Sequence, residues 1–389
     1  LKVDAIRHNS ATSDAITTHS DGTASAKIID VGGGALSHRN ILINGAMTVS
    51  QRGSTHSHTS SNNNTYTLDR WRTRDSGLDF DCTITQSTDS PDGFRYSLKI
   101  TPDATETPSA SNNGFITQQP LGETVQHFAH GTSSAKSMTL SFYAKTGSLN
   151  SGHHYSLQIR IYDSSGNRKV VLQAFTVTSS WQRFTMTFPG DTATAINNSN
   201  DYQGMEINWH LCTGPDDLTS AQPTWGTPLS SYWAGVTGQS NFMDNTNNEF
   251  YLTGCQLEVG DTATSFEHRS FDDELRRCQY YYNKVYDVEG QSGEKPFVLG
   301  TYLTNSELAC VVNFPKMRVV PSLDITNGTS KFMIRRSSVS DHFDTLTMRY
   351  GTTTTAELYT GSGVSGTQGE CGIIRGADTD VYIAFTAEI

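Results

Sequence analysis

The sequence predicts a mainly β protein, and three observations lead to that fold class. Only 17% of the 389 residues are charged, while Ser, Thr, Gly and aromatic residues are abundant, which is typical of short strands joined by polar turns. Apolar and polar residues alternate with a period of two in many places, as in half-buried strands. Only one segment has the apolar spacing of a helix. We therefore expect an N-terminal shaft segment, a β-sandwich, one linking helix and a small C-terminal β domain.

Residues 1–38 are small and polar, and they contain few apolar side chains. The tripeptide Asp-Ala-Ile occurs twice, at 4–6 and 14–16, and predicts two short strands without a core of their own. We expect this part to be a β shaft or attachment segment that needs a neighbour to bury its apolar groups. The glycines at 32–34 predict a flexible joint after it.

Residues 39–268 have the densest strand signals. Apolar residues alternate with polar ones in six stretches, at 80–84, 94–100, 138–144, 157–161, 184–188 and 205–211. Repeated alternation of this kind indicates antiparallel strands that are buried on one face. The number of strands predicts a sandwich of two sheets.

The predicted helix spans residues 269–286. Ser270 is a suitable N-cap, and the acidic residues 272–274 suit the positive end of a helix. An apolar stripe follows at steps of four, three, four and three residues, made of Phe271, Leu275, Cys278, Tyr282 and Val285. The helix either lies on its own domain or forms the contact between copies in a trimer. Residues 287–389 return to strand patterns and predict one more small β domain.

Charge and composition exclude several functions. The formal net charge is -11 and no basic block is present, so we expect no nucleic acid partner. No apolar run is long enough to span a membrane, and no Sec-type leader is visible. The six cysteines are scattered without a CxxC pair, so we expect buried free thiols and folding in a reducing compartment.

Three stretches carry a resemblance to a known group of proteins. They are RNILINGAM at 39–47, followed by QRG at 51–53 and YTLDRW at 66–71; QLEVG at 256–260, leading into SFEHRS at 265–270; and DELRRCQYYY at 273–282. In this order and spacing they resemble bacteriophage tail-fibre and related virion appendage proteins, particularly those of marine short-tailed phages. The resemblance covers residues 39–286. The C-terminal stretch is similar in a looser way, and the N-terminal segment is similar to the thin shaft of such fibres.

The resemblance implies a structural, adhesive protein on a phage particle. It implies a homotrimer that is assembled in the host bacterial cytoplasm, contacts other virion proteins through its N-terminal region and binds a host surface glycan. With FYAK at 142–145 and SWQRFT at 180–185, the middle domain is also similar to a carbohydrate-binding module of jelly-roll type. Two alternatives stay open, namely a tailspike enzyme that cleaves the glycan and a head or tail decoration protein without a receptor role.

Exposed aromatic rings are the expected glycan contacts, because pyranose rings pack on them. The loop at 222–234 contains Trp225, Tyr232 and Trp233, while Tyr143 and Tyr162 occupy polar-alternating positions of their strands. The alternative is that the two tryptophans cover a sheet edge. The acidic net charge argues against a strongly anionic glycan, unless divalent cations bridge it.

No catalytic residues are expected, so the chain is not predicted to be an enzyme. It has no Gly-x-Ser-x-Gly elbow, phosphate loop or HExxH helix, and its acidic clusters at 216–217 and 272–274 lie in a turn and at a helix start. No cofactor or metal site is predicted. His56 and His58 are expected in an exposed loop. A calcium site remains an alternative to a plain polar turn at Asp244, Asn245, Asn247 and Asn248.

Overall fold

The computed structural model describes residues 5–6, 16–18, 20, 24–26, 38–62, 64–199, 204–227, 233–288, 294–337 and 339–389. The protein is mainly β, which confirms the predicted fold class. In the N-terminal segment, a three-stranded antiparallel sheet is formed by β1 (Ala5–Ile6), β2 (Ile16–Thr18) and β3 (Ala24–Ala26). Ile6 and Ile16 pair across it, so both copies of the repeated tripeptide contribute to strands. The predicted joint at 31–34 lies outside the described residues.

A β-sandwich follows. Its strands are β4 (Thr55–His58), β5 (Asn64–Tyr66), β6 (Arg72–Ser76), β7 (Cys82–Ser87), β8 (Ser97–Pro102), β9 (Asn113–Gln118), β10 (Met138–Thr146), β11 (His153–Tyr162), β12 (Arg168–Val177), β13 (Gln182–Phe188), β14 (Met205–Thr213), β15 (Leu218–Thr219), β16 (Gln222–Gly226), β17 (Gly235–Val236) and β18 (Phe250–Val259). One sheet has the order β13-β10-β18-β8-β7-β4 and the other β16-β12-β11-β14-β9-β6-β5. The pair β15 and β17 is parallel and separate from both sheets.

The core lies between the two sheets, as the alternation predicts. The inward-facing side chains include Ile84, Leu140, Phe142, Leu157, Ile159, Ile207 and Trp209, and all are fully buried. The rings of Trp71 and Trp209 have centroids 5.5 Å apart at the centre of this core. One part of the prediction is wrong: Phe94 and Tyr96 precede β8 rather than lying in it, and Phe94 packs on Tyr143 at the surface.

The linking helix is shorter than predicted. α1 spans Phe271–Gln279, with the Ser270 side chain accepting a hydrogen bond from the Asp273 amide as the N-cap. The apolar stripe does not continue along it, because residues 282–287 form a strand that pairs with the last strand of the chain. Backbone hydrogen bonds to that last strand therefore take the place of the next helical turn.

Four of the five residues assigned to a trimer contact are therefore not on an exposed helix face. Tyr282 and Val285 belong to a strand, and Cys278 and Tyr282 are buried within their own chain. Leu275 is half-buried, and Phe271 alone of the stripe is exposed. The five side chains thus do not share one helix face.

The C-terminal β region starts at Tyr282, not at residue 287. Its strands are β19 (Tyr282–Asp287), β20 (Lys295–Thr304), β21 (Glu307–Asn313), β22 (Ser322–Ile325), β23 (Phe332–Arg336), β24 (Val339–Phe343), β25 (Thr347–Gly351), β26 (Thr355–Thr360), β27 (Cys371–Gly376) and β28 (Tyr382–Thr386). They form a sheet of order β19-β28-β22 and a sheet of order β24-β23-β27-β20-β21-β26-β25. A second apolar core that includes Phe332, Leu358 and Phe385 lies between these sheets.

Helices are few among the described residues. Besides α1 there are short 3-10 helices at Gly122–Phe128, Pro215–Asp217 and Phe242–Asp244. None of the helices in the described ranges has the length and hydrophobicity needed to cross a membrane.

The six cysteines are unpaired, and five of them are buried. Burial raises the pKa of these five thiols. Cys371 differs, because its side chain is exposed on β27.

A junction of hydrogen bonds joins the sandwich to the segment before it. The Asn40 side chain donates to the Cys255 carbonyl (2.9 Å) and accepts from the Leu257 amide (3.1 Å). The Asn44 side chain donates to the carbonyls of Val49 (2.8 Å) and Asp69 (2.9 Å). These residues lie in the stretches that carry the resemblance, so the shared sequence pattern coincides with a buried structural junction.

The same junction holds the C-terminal region. Gln51 donates to the Asp69 carboxylate (2.6 Å) and to the carbonyl of Tyr282 in β19 (2.7 Å). The Glu388 carboxylate pairs with Arg70 and with Arg52. Burial alone would lower the pKa of Arg70, but the adjacent Glu388 carboxylate raises it overall. The two β units are therefore joined by buried, charge-assisted contacts.

Removing the Glu388 carboxylate should destabilise the chain. Glu388→Ala leaves the buried guanidinium of Arg70 without its partner, so we expect the free energy of unfolding to fall by about 3 kcal/mol. The control Glu294→Ala removes an exposed ion pair with Arg335 and should change it by less than about 0.5 kcal/mol. Denaturant unfolding measures both, and equal effects of the two substitutions would contradict the importance of this contact.

Candidate functional site

The outer face of the seven-stranded sandwich sheet is lined by polar side chains. We call this surface the polar cleft; its residues are Arg72, Arg74, Phe115, Thr117, Gln119, Ser156, Gln158, Arg160, Tyr162, Glu206, Asn208 and His210. They occupy every second position of β6, β9, β11 and β14, with Gln119 directly after β9. Cross-strand pairing places Arg160 beside Glu206, Gln158 beside Asn208 and Ser156 beside His210.

Glu206 is the electrostatic centre of the polar cleft. Its carboxylate is almost fully buried, lies 3.0 Å from Arg160 and 3.3 Å from Arg74, and accepts a hydrogen bond from Gln119. Burial alone would raise the pKa of Glu206, but the charges of Arg160, Arg74 and Arg72 outweigh burial and lower it. The carboxylate therefore stays ionised and orders the two guanidinium groups around it.

A chain of side-chain hydrogen bonds extends from this centre. The Arg160 Nη2 donates to the Gln158 Oε1 (3.0 Å), which also accepts from the Asn208 Nδ2 (3.0 Å). Burial raises the pKa of Tyr162 to about 12, so its hydroxyl near Arg160 stays protonated. These bonds fix the orientation of the donors and acceptors on the floor of the cleft.

Several buried polar atoms on that floor have no hydrogen-bond partner among the described residues. They include the Asn208 Oδ1, the Thr117 Oγ1 and both ring nitrogens of His210. Burial, and then the charge of Arg160, lowers the pKa of His210 well below its ordinary value, so the imidazole is neutral. Buried polar groups without partners are rare in folded proteins, and these atoms are enclosed beneath the surface rather than exposed in the cleft.

Two parts of the chain cover the ends of the cleft. On the β11 side, the Val236 amide donates to the Ser156 Oγ (2.8 Å), and Gln158 donates to the Trp233 carbonyl (2.7 Å). On the β6 side, the Ile389 carbonyl accepts from Arg72 (2.7 Å). A cavity of about 140 Å³ stays open between these covers, lined by Arg74, Asp75, Ser76, Asn113, Phe115 and Arg160.

A second cavity of about 320 Å³ lies beside the junction, where Arg52 meets the C-terminal region. Its aromatic rings are already occupied, because the Arg52 guanidinium lies 3.6 Å from the ring centroid of Tyr282. Tyr282 and Tyr382 both donate their hydroxyls to Asp324. These groups satisfy one another, so the polar cleft is the stronger candidate.

The predicted aromatic contacts do not form one site. Tyr143 lies on the six-stranded sheet and packs against Phe94, on the opposite side of the sandwich from the cleft. Tyr162 is in the cleft but only 7% exposed, so its ring offers no platform for stacking. Its position alternates away from the core as predicted, yet the neighbouring polar network buries it.

The loop tryptophans have structural contacts of their own. The Trp225 indole donates to the Pro189 carbonyl (2.6 Å), and its ring packs edge-on against His130. The half-buried Trp233 ring packs over Gly226, where a Cβ would lie 2.6 Å from it, and its backbone has a positive φ of 46°. Trp233 therefore borders the cleft, whereas Trp225 covers the sheet edge. Tyr232 lies outside the described residues.

The metal candidates also make ordinary contacts. His58 is not in an exposed loop but fully buried in β4, where its Nε2 lies 3.0 Å from Asp75. Asp244 accepts from Asn248 (2.7 Å), and Asn245 accepts from the Asn247 amide (2.9 Å). Within the part of the chain that the structure describes, no three His, Cys, Asp or Glu side chains gather as metal ligands.

The acidic clusters considered for catalysis have structural partners. Asp217 is buried and accepts from Asn113 (3.2 Å), and Glu274 accepts from the Asn44 amide. Neither cluster contributes a carboxylate to the floor of the polar cleft.

Of the polar cleft, sequence reasoning singled out Tyr162 but not its charged, amide and imidazole residues. Glu206, Asn208 and His210 alternate on one strand, and Gln158 and Arg160 alternate on another. That pattern is what an ordinary solvent-facing side of a strand contains. One feature of the sequence could have indicated the cleft. At the outward-facing positions of these two strands the side chains are large or charged, whereas other strands have Ser and Thr at such positions.

Comparisons with known proteins give structural neighbours only. No family model matches the chain, and no curated protein matches its sequence. The enzymatically active domain of tailspike protein 4 from bacteriophage CBA120 is 13% identical, with a TM-score of 0.30 over 57% of this chain. The chain spans 21% of that domain's length.

Two carbohydrate-binding modules are also similar in structure. A xylan-binding domain of family 22 from Paenibacillus barcinonensis is 10% identical, with a TM-score of 0.29, and the match covers 58% of this chain and 96% of the module. A family 11 module from Clostridium thermocellum is 12% identical, with a TM-score of 0.28, and the match covers 56% of this chain and 100% of the module.

The lowered pKa of Glu206 predicts a pH-dependent contribution to stability. A carboxylate whose pKa is lower in the folded than in the unfolded chain stabilises the fold at pH values above its unfolded-state pKa, which is near 4.3 for glutamate. That contribution is lost as the pH falls through the folded-state pKa. At pH 7, Glu206→Gln should lower the free energy of unfolding by about 3 kcal/mol. The difference from the wild type should shrink towards pH 3, as measured by denaturant unfolding. A difference that stays constant over this range would contradict the charge pairing.

Proposed function

We propose that the chain is an adhesive, glycan-binding protein of a phage virion appendage, with the polar cleft as its binding site. The observation that carries the binding part is the open cavity on the polar cleft, which is lined by polar side chains. Sugars present many hydroxyl groups that donate and accept hydrogen bonds, and they need ordered partners in return. Arg74, Ser76 and Asn113 line the cavity and supply such partners, and Phe115 adds an aromatic surface there.

We propose binding without cleavage. A glycosidase of the usual kind needs two carboxyl groups about 5–9.5 Å apart, one of them with a raised pKa as the general acid. The carboxylate on the floor of the cleft, Glu206, has a lowered pKa and two guanidinium partners. Asp75 lines the cavity but is bound to His58. A glycan-cleaving tailspike and a decoration protein without a receptor role are the alternatives.

The virion part of the proposal is supported by the sequence stretches that resemble phage appendage proteins. On this proposal the protein is assembled in the host bacterial cytoplasm and exposed on the particle. The N-terminal region attaches it to other virion proteins, and the sandwich meets a host surface glycan. Neither a cofactor nor nucleic acid is part of the proposal.

We further propose that the protein is a homotrimer whose copies meet through the C-terminal sheet. Six large apolar side chains are exposed on strands of the seven-stranded C-terminal sheet, namely Leu299, Leu303, Val311, Val339, Tyr350 and Ile373. Ile373 pairs directly with Leu299 and also with Arg335, and Val311 pairs with Glu357. These side chains form an apolar row across the sheet, with Ile373, Leu299 and Val311 in the middle, Arg335 at one end and Glu357 at the other. The positive end of the row in one copy can therefore meet the negative end in the next copy.

Blocking the cavity should abolish glycan binding. Ser76 is exposed at the cavity, so Ser76→Trp should fill the opening without disturbing the core. On an array of bacterial surface oligosaccharides we expect the wild type to bind and the variant to lose at least tenfold in affinity. The control Ser180→Trp changes an exposed turn residue between β12 and β13 and should bind like the wild type.

Two results would count against this proposal. No binding by the wild type across the array would remove the receptor role, and shortened products after incubation would favour the tailspike enzyme instead. Unchanged binding by Ser76→Trp would place the site elsewhere.

A charge in the apolar row should break the assembly. Leu299 is 70% exposed in the single chain, so Leu299→Asp should leave the fold intact but prevent association. Analytical ultracentrifugation at micromolar concentration should give a trimer for the wild type and a monomer for the variant. Leu149→Asp, at an equally exposed position of the sandwich, should remain trimeric. A monomeric wild type, or a trimeric Leu299→Asp, would reject the interface.

A further inference from the structure

The outward-facing residues of the seven-stranded sandwich sheet form straight rows across the strands. In one row, cross-strand pairing joins Arg74, Phe115, His210, Ser156 and Ala174 in that order. Four strand spacings of about 4.8 Å give this row a length of about 19 Å. The row is therefore too long for a single sugar ring.

Both ends of the row open into cavities. At one end lies the cavity of about 140 Å³ beside Arg74. At the other end, a cavity of about 240 Å³ has His154, Ser156 and Ala174 among its lining residues. His210, in the middle of the row, is buried. Because the outer face of a sheet otherwise meets solvent, another part of the chain must cover this middle position.

The cover is the segment 233–239, which we call the strap. The Gln239 Nε2 donates to the His210 carbonyl (3.1 Å), and the Val236 amide donates to the Ser156 Oγ (2.8 Å). On its other side, β17 of the strap pairs with β15, which belongs to neither sheet. Ala234 alone among the apolar side chains of the strap is fully buried. Hydrogen bonds rather than a core hold the strap to the floor, and such segments open at a low cost in free energy.

The closed strap encloses polar atoms that have no partners. Both ring nitrogens of His210, the Asn208 Oδ1 and the strap's own Gln239 Oε1 are buried without a hydrogen-bond partner within the described ranges. Each such atom costs free energy while it is enclosed. Solvent or ligand hydroxyl groups would satisfy these atoms once the strap is lifted. The closed state is thus opposed by its own desolvated groups.

We propose that the strap lifts from the row and joins the two cavities into one groove, and that a linear glycan chain occupies the groove only in this lifted state. The inference rests on the proposed glycan-binding function and adds a gate to the same site. A short glycan enters the cavity beside Arg74 while the strap is closed. A longer chain has to pass between the strap and His210, so the length of the chain decides whether the strap moves.

Thiol labelling measures the opening without any glycan. Ala234→Cys in a chain that also contains Cys371→Ser places one thiol under the strap, and the five remaining cysteines are buried and serve as internal controls. We expect iodoacetamide to modify the introduced thiol at least a hundredfold faster than the five native thiols, as measured by peptide mass spectrometry. Equal rates would overturn the strap, because labelling would then require global unfolding.

Hydrogen exchange of the unmodified chain is a second measurement that needs no substitution. We expect the Val236 and Thr237 amides to exchange at least a hundredfold faster than the paired amides of β11 and β14. Ser156→Ala removes the acceptor of the Val236 amide and should speed its exchange further. The control Thr185→Ala, at an exposed position of the other sheet, should not. Strap amides that are as protected as those of β11 would contradict the opening.

Calorimetry tests the joined groove with disaccharides and hexasaccharides of the same linear bacterial surface polysaccharides. Ala174→Trp fills the far cavity and should weaken hexasaccharide binding at least tenfold. The matched control Ala104→Trp, in an exposed loop after β8, should bind like the wild type. Saturating hexasaccharide, but not disaccharide, should also speed labelling of the Ala234→Cys variant at least tenfold. Unchanged hexasaccharide binding by Ala174→Trp, or labelling that the hexasaccharide does not alter, would overturn the joined groove.

The outcomes separate this inference from the proposed function. A rigid strap, together with glycan binding that Ser76→Trp abolishes, overturns the inference and keeps the cleft as a glycan site. Failure of every oligosaccharide to bind the wild type removes the glycan-binding proposal and with it the ligand of the groove. The labelling and exchange rates report on the strap in either case, because neither measurement needs a glycan.

Discussion

The rest of the structure depends on the buried hydrogen bonds by which the segment at 38–53 joins three parts of the chain. Asn40 binds the backbone of β18, Asn44 binds the backbone at Asp69, and Gln51 binds both Asp69 and β19. The approach is so close that a Cβ on Gly45 would lie 2.1 Å from the Cys255 carbonyl oxygen. Unpaired amide groups in this place would cost the protein several hydrogen bonds at once, which explains why the stretches with the most specific sequence pattern lie here rather than in the cleft.

The same junction shapes the proposed binding site. Glu388 is held by Arg70 and Arg52, and this contact brings Ile389 against Arg72 at one end of the polar cleft. The C-terminal region therefore limits the length of the cleft as well as completing the fold. Segment 233–239 limits the other end through Gln158 and Ser156. The open cavity between them is defined by Arg74 and Phe115, so the chemistry at that opening decides which ligand fits.

Net charge and local charge lead to opposite expectations for the ligand. The sequence argues against an anionic glycan, because acidic groups outnumber basic ones along the chain. Folding places most of those acids elsewhere and gathers Arg72, Arg74 and Arg160 around the single carboxylate of Glu206. Which charges meet at the cavity follows from the folded geometry and cannot be obtained from a sum of charges.

The sequence by itself determined the β fold class, the sandwich strands and their core faces, because alternation records which side of a strand meets apolar neighbours. It also determined the start of α1 at Ser270, because an N-cap is a local interaction. Tertiary structure decided the rest. Pairing of β19 with β28 ended the helix at Gln279, burial removed Tyr162 from the surface, and antiparallel registers brought Arg74, Arg160 and Glu206 together from three distant strands. Such contacts between residues far apart in the chain leave no periodic signal, so the cleft became visible only in the folded protein.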